Sequence, residues 1–305
     1  MARKSRTVLL TLIGPPLCGV LLASLVIAAW VAMGLPSLAK GETWFRVTKV
    51  PPTGQSSFTS GQPDGVQFFL VVGNDSRDPA GTGLGDAIHV IGVNPGAKAA
   101  TIIDIPRDTA PGGGKINSVL ANQGLSAFTG AISNFVGVPI KFSITTNFAG
   151  FVDMVNELGG IDINITQPMH DPDSATAFDP GMHHLNGEGA LAFSRDRHSF
   201  SAGDISRTEN QGYLIITALQ NFQARNTGPG GVLNALGVLG RHVVMENTSL
   251  QELYRLSRLV LTIDPAAVRN VVIPTGGGSG SNLSPGPGID ALFADFRDDA
   301  VLQSH

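Results

Sequence analysis

The chain has 305 residues, 42% of them hydrophobic and 14% charged, a formal net charge of −4 and one cysteine. That length suits one large domain or two small ones, and the mildly acidic balance leaves no basic footprint for nucleic acid. The single thiol, Cys18, lies in an apolar N-terminal run, so the rest of the chain has neither a disulfide nor a cysteine nucleophile.

Arg3, Lys4 and Arg6 precede an uncharged run over residues 7–39. Such a run is long enough to cross a hydrocarbon core of ~30 Å. Basic residues ahead of it predict a cytoplasmic N-terminus and a body outside the cell membrane. Residues 1–7 therefore read as a cytoplasmic tail, 8–35 as a single-pass transmembrane anchor, and 36–63 as a flexible linker rich in Pro, Gly, Ser and Thr. A cleavable signal peptide ending near Ser37-Leu-Ala39 is the alternative; the apolar run is long for one. Either way the body is exported.

Apolar runs at 66–72, 87–93 and 99–105 read as strands, the last two joined as a hairpin by Asn94-Pro-Gly96. Apolar spacing predicts a helix over 125–136, a strand over 140–146 and a helix over 148–158 closed by Gly159-Gly160. Residues 161–165 alternate as a half-buried strand, and 166–184 read as a long irregular loop with three prolines. A short helix over 185–192 and a long one over 206–225 follow, then helices near 231–242 and 249–262, the latter capped by Thr248 or Ser249. A strand over 268–273, a flexible loop over 276–288 and a helix over 289–297 complete the chain. The alternation implies an α/β fold with a mixed sheet.

The chemistry concentrates in Arg195-Asp-Arg197-His198 and Asp204-Ile-Ser-Arg207-Thr-Glu-Asn-Gln211. Arg-x-Arg on an extended segment would place both side chains on one face, and Arg207 and Gln211 share a helix face. Converging guanidinium forks suit phosphate or pyrophosphate. Asp75, in Gly73-Asn-Asp75-Ser-Arg77, follows a buried strand, and Asp86 heads the next; two carboxylates at neighbouring strand ends can hold magnesium. Arg107 and Asp108 follow another strand through Pro106. Lys115 follows a glycine run without Walker spacing, which leaves it as a possible phosphate contact. His170, His183, His184 and His198 lack zinc-protease spacing and read as loop histidines.

In order, Val-Gly-Asn-Asp75-Ser-Arg77, Gly85-Asp86, Ile-Pro-Arg107-Asp108-Thr, Lys115-Ile-Asn117, the segment from Phe148 to Gly160, Leu185-Asn-Gly-Glu-Gly, and Arg195-Asp-Arg197-His198 with Asp204 and Arg207 resemble the LytR-CpsA-Psr family of cell-envelope proteins. The resemblance implies a single α/β domain, a mixed central sheet flanked by helices with an apolar prenyl pocket, following the membrane helix. Residues 64–226 would be its catalytic core, and 227–305 a C-terminal part completing the same domain. The implied activity is Mg2+-assisted transfer of a glycopolymer from a polyprenyl-pyrophosphate carrier to peptidoglycan, leaving a phosphodiester link. Asp75 and Asp86 would be the metal ligands. Arg107, Arg195, Arg197, Arg207 and Gln211 would be the pyrophosphate clamp, with Arg77 and Lys115 as weaker members. Asp204 would orient arginines or accept a proton, with Asp108 as its rival. Phe148, Phe151, Val152 and Val155 are candidates for the prenyl pocket.

The family pattern usually has Arg-Ser before the second aspartate and Arg in place of Asn210; here Leu84-Gly85 precedes Asp86. A pyrophosphate-lipid hydrolase and a non-catalytic lipid-binding protein are the competing readings. The polymer transferred is not legible.

Overall fold

The computed structural model describes residues 47–48, 65–76, 83–225, 228–277 and 281–303. All of these belong to one compact unit, Phe45–His305. The expected anchor, most of the expected linker and Arg77 lie outside the described residues. Among the described residues, no helix is long and apolar enough to cross a membrane.

Seven strands form the central sheet. They are β1 (Val47–Thr48), β2 (Gln67–Asn74), β3 (Gly85–Asn94), β4 (Ala99–Asp104), β5 (Ile140–Thr146), β10 (Val244–Glu246) and β11 (Val268–Val272), in the order β1-β10-β5-β2-β3-β4-β11. β2, β3 and β4 form an antiparallel meander, while β5 joins β2, and β11 joins β4, in parallel. The predicted hairpin is thus present, and the sheet is mixed as expected.

Strand side chains alternate between faces, and here both faces are covered. Phe68, Leu70 and Val72 of β2 pack with Leu120, Phe128 and Ile132 of helix α1 (Asn117–Val136), and with Phe293 and Phe296 of helix α7 (Ile289–Asp299). Phe69, from the opposite face of β2, joins Phe142, Val232 and Leu253. The last two come from helices α5 (Pro229–His242) and α6 (Leu250–Val260). Burial on both faces explains why the strands read as continuous apolar runs.

A smaller third cluster stands beside the sheet. It joins helix α2 (Phe148–Glu157), strands β6 (Ile161–Ile165) and β9 (Gly181–Leu185), helix α3 (Gly187–Arg195) and helix α4 (Asp204–Arg225) through Val155, Ile163, Phe193 and Leu214. Gly159 and Gly160, with φ of 85° and 75°, turn the chain from α2 into β6, a left-handed conformation that glycine adopts without strain. Ser249 caps α6 by accepting from the Glu252 N–H, so of the two candidate caps the serine serves.

Three expectations need correction. Residues 166–184 are not irregular: β7 (Met169–Asp171) and β8 (Thr176–Phe178) pair as a hairpin, and β9 pairs with β6, which stays outside the central sheet. Helix α1 begins at Asn117, well before residue 125; Gly124 (φ 81°, ψ 175°) kinks it and hides the earlier part from a periodicity reading. The expected loop at 276–288 contains a short pairing of β12 (Thr275–Gly276) with β13 (Ser284–Pro285).

Candidate active site

A cavity of about 690 Å³ lies between α2, α3, α4 and one end of the central sheet. Its polar end is assembled from strand ends. Asn74 pairs with Gly85 across a register irregularity, which brings Asp75 and Asp86 to neighbouring strand ends. The Leu84 N–H donates to Asp75 Oδ1 at 2.7 Å, and the Asp75 N–H to the Leu84 carbonyl at 3.1 Å. Both carboxylates border the cavity, and Asp86 Oδ1 is buried with no hydrogen-bond partner.

Arg107 leaves β4 beyond Pro106, and its Nη1 donates to Asp86 Oδ2 at 2.9 Å. Burial pushes the Arg107 pKa down, but Asp86 foremost, then Asp204 and Asp108, carry it above its ordinary value. Arg207, in the first turn of α4, is only 4% exposed; its Nη2 lies 2.9 Å from Asp204 Oδ1 and 3.4 Å from the Asp86 carbonyl. Burial pulls the Arg207 pKa down, with Asp204 opposing it. A guanidinium stays charged at neutral pH regardless.

Asp204 does not border the cavity. Its Oδ1 stands behind three guanidiniums, 2.9 Å from Arg207 Nη2, 3.5 Å from Arg197 Nε and 3.8 Å from Arg107 Nε. Arg107, Arg197 and Arg207 all face the cavity in front of it. Asp204 is thus grouped with the arginines and set back from the cavity itself.

The expected extended Arg-x-Arg is absent. Arg195 ends α3, with its guanidinium 5.1 Å from the centre of the Phe148 ring, while Arg197 lies in the following loop. Both still reach the cavity. Gln211 sits one turn beyond Arg207 as the helical spacing predicts; it donates to the Ser194 carbonyl at 2.9 Å and leaves Oε1 buried without a partner. Asp108 and Lys115 are not brought to the site. They pair with each other at 2.6 Å, and neither borders the cavity. Leu84 and Asn210, the two departures from the expected basic pattern, do not border it either.

Sequence reasoning missed Asp171 altogether and gave His198, though part of the arginine motif, no role beyond that of a loop histidine. Asp171 is buried, and its carboxylate accepts from the backbone N–H groups of Arg197 (3.0 Å), His198 (3.3 Å) and Asp173 (3.0 Å) and from His198 Nδ1 (2.9 Å). Burial opposes ionisation of Asp171, but these donors outweigh it and hold its pKa well below the usual carboxylate range. Asp171, mainly by accepting from the ring, raises the pKa of His198. With its oxygens already occupied by four donors, Asp171 fixes the loop that carries Arg197. His89, deeper in the cavity wall, meets the buried Asp104 at 2.5 Å; desolvation above all raises the Asp104 pKa. No pattern in the sequence marks either pair, because each is brought together by strand register or loop closure.

The remaining wall is apolar. Phe148, Phe151, Met154 and Val155 of α2 and its C-cap Leu158 face it, whereas Val152 does not. On α4 the lining residues are Arg207, Gln211, Leu214, Ile215, Ala218, Asn221, Phe222 and Arg225. Their spacing of three and four traces one helical stripe over the whole of α4. Arg207 and Arg225 are 18 residues apart, which at 1.5 Å per residue is about 27 Å. The site is thus a long apolar trough with an arginine cluster at one end.

The family model for the LytR_cpsA_psr family matches residues 42–284. The chain belongs to this family. A relative from Bacillus anthracis, named polyisoprenyl-teichoic acid–peptidoglycan teichoic acid transferase TagU, is 34% identical over 180 residues, covering 55% of this chain and 57% of the relative. The match therefore spans little more than half of that relative's length. The crystal structure of Bacillus subtilis TagV shares the fold with a TM-score of 0.66 at 22% identity, covering 78% of this chain and 98% of that one. A LytR-Csp2A-Psr enzyme from Actinomyces oris gives 0.65 at 22%, covering 82% and 95%.

Proposed function

We propose that this LytR-CpsA-Psr protein transfers a cell-wall glycopolymer from a polyprenyl-pyrophosphate carrier to peptidoglycan. The observation that carries this reading is the joining of four cavity-facing arginines, Arg107, Arg195, Arg197 and Arg207, to a continuous apolar trough. An amphiphile with a pyrophosphate head and a long hydrocarbon tail matches both parts. The name of the Bacillus anthracis relative supports the same substrate class and acceptor.

In this reaction a hydroxyl oxygen of peptidoglycan attacks the phosphorus that carries the glycan. A P–O bond forms, the bond to the bridging oxygen breaks, the hydroxyl proton is released and polyprenyl phosphate departs. Charge builds on the bridging and leaving oxygens, and arginines already held in place by Asp204 and Asp86 stabilise it without reorganising. No covalent enzyme intermediate is required.

Asp75 and Asp86 are the residues that would hold magnesium. The orphaned, buried Asp86 Oδ1 fits a hard cation, which prefers few carboxylates and completes its shell with water and phosphate oxygens. Bound there, the ion would neutralise phosphate charge. The N-terminal apolar run would anchor the protein in the cell membrane with its folded body outside, where a membrane-borne carrier and peptidoglycan meet.

The test supplies the full chain, in detergent, with a polyprenyl-pyrophosphate saccharide, magnesium and peptidoglycan fragments, and measures polyprenyl phosphate released. Transfer predicts release that needs the acceptor and the metal. Release indifferent to acceptor would make the protein a hydrolase; binding without turnover would make it a lipid carrier.

A further inference from the structure

The apolar trough ends on a charged group. Arg225, the last residue of α4, borders the cavity at the far end of the helix from Arg207, about 27 Å along its axis, and is partly exposed. Its Nη1 donates to the carbonyls of Gly159 (3.0 Å) and Gly160 (2.8 Å), the left-handed turn between α2 and β6. Its Nη2 meets Asp162 Oδ2 at 2.5 Å, and the other oxygen of Asp162 takes His184 Nδ1 at 2.6 Å. Asn221, one turn earlier and also on the cavity wall, bonds both backbone groups of Asp162 at 2.9 Å. The end of α4 is thereby tied to the start of β6 beside the trough.

We propose that Arg225, held by Asp162 and the Gly159 and Gly160 carbonyls, is a latch that closes the tail end of the trough and limits the length of prenyl chain the protein accepts. This rests on the reading of the cavity as a lipid site. Chain running along Leu214, Ile215, Ala218 and Phe222 meets a largely apolar wall, with the Asn221 side chain already bonded to the Asp162 backbone. A further isoprene unit would have to cover an ion-paired guanidinium, which costs desolvation and returns no hydrogen bond. A basic residue in the last turn also suits the helix dipole. A purely structural Arg225 would affect stability alone, whereas a latch changes which lipid binds.

The test measures binding of geranylgeranyl pyrophosphate and decaprenyl pyrophosphate to the full chain, by competition with a fluorescent prenyl pyrophosphate. Arg225→Ala and Asp162→Asn are compared with the wild type, and thermal unfolding is followed in parallel. Opening the latch raises the long-to-short affinity ratio by roughly tenfold in Arg225→Ala, the gain from burying one to two more methylene-sized groups. Asp162→Asn, which keeps the carbonyl contacts, changes the ratio in the same direction by less, and carries the test if Arg225→Ala does not fold. Affinity for the short lipid stays unchanged. Retained binding with the wild-type ratio in the folded variants would overturn the latch alone. Failure of the wild type to bind either lipid would overturn the lipid cavity and the latch with it.

Discussion

Arg207 and Arg195 are both cavity arginines, yet burial gives them different weights. Arg207 is enclosed beside the Asp204 carboxylate and the Asp86 backbone carbonyl, so Arg207→Ala takes from Asp204 its nearest cation as well as removing a proposed phosphate contact. Breaking such a pair costs about 3–5 kcal/mol, and loss of one charge-stabilising donor costs about 10²–10³ in kcat. Arg195 is exposed and, among the described residues, holds only the Phe148 ring face, so Arg195→Ala should cost stability no more than about 1 kcal/mol. Denaturant unfolding checks the two stability costs, and the turnover assay the kinetic one. Asp171→Asn tests the loop anchor. The folded pKa of Asp171 is depressed, so its contribution is present above the ordinary carboxylate value of 3.8 and fades as pH falls through the lower folded value. The pKa of His198 is raised, so its contribution is full below its ordinary 6.5 and fades as pH rises through the folded value. The stability difference between wild type and Asp171→Asn should therefore be largest from about pH 4 to 6.5, and chemical denaturation across pH will read it. A difference that grew toward alkaline pH would contradict the pairing.

Helix α4 carries the site because it lies close on the sheet. A Cβ built at Gly212 would stand 2.0 Å from Asn270 Oδ1 and 2.4 Å from Asp104 Oδ2. Gly212→Ala should therefore force α4 off β4 and β11, destabilise the fold by about 1–3 kcal/mol and lower turnover by displacing Arg207 and Gln211. An unchanged unfolding midpoint would show that the helix can shift freely. The elements that position the site were legible where one physical signal dominated. The strands at 67–74, 85–94 and 99–104 bury both faces and read as apolar runs, and α4 shows its stripe directly. The stretch from Met169 to Leu185 was opaque because its strands are three to five residues long and mostly exposed on alternate positions. The Arg195–Arg197 geometry failed for a related reason: tertiary packing continued α3 through Arg195, and alternation does not apply to a helix end followed by a loop.

At the scale of the molecule, the site lies where the central sheet meets the smaller α2–α3–α4 cluster. The metal-ligand candidates and Arg107 come from strand ends, and the remaining arginines from α3, α4 and their connection. Sequence order alone brought most of these residues into view. It pointed to Asp204 as a partner of the arginines, but did not reveal that Lys115 and Asp108 neutralise each other elsewhere or that Asp171 ties down the loop, since each depends on which groups meet after folding. The central claim is that one ligand spans both parts of the cavity. A crystal structure with a prenyl pyrophosphate bound tests it most directly. The account predicts phosphate oxygens within hydrogen-bond distance of Arg107, Arg197 and Arg207, and the hydrocarbon chain lying along Leu214, Ile215, Ala218 and Phe222. Phosphates held away from those arginines, or a chain lying outside the α4 stripe, would contradict it.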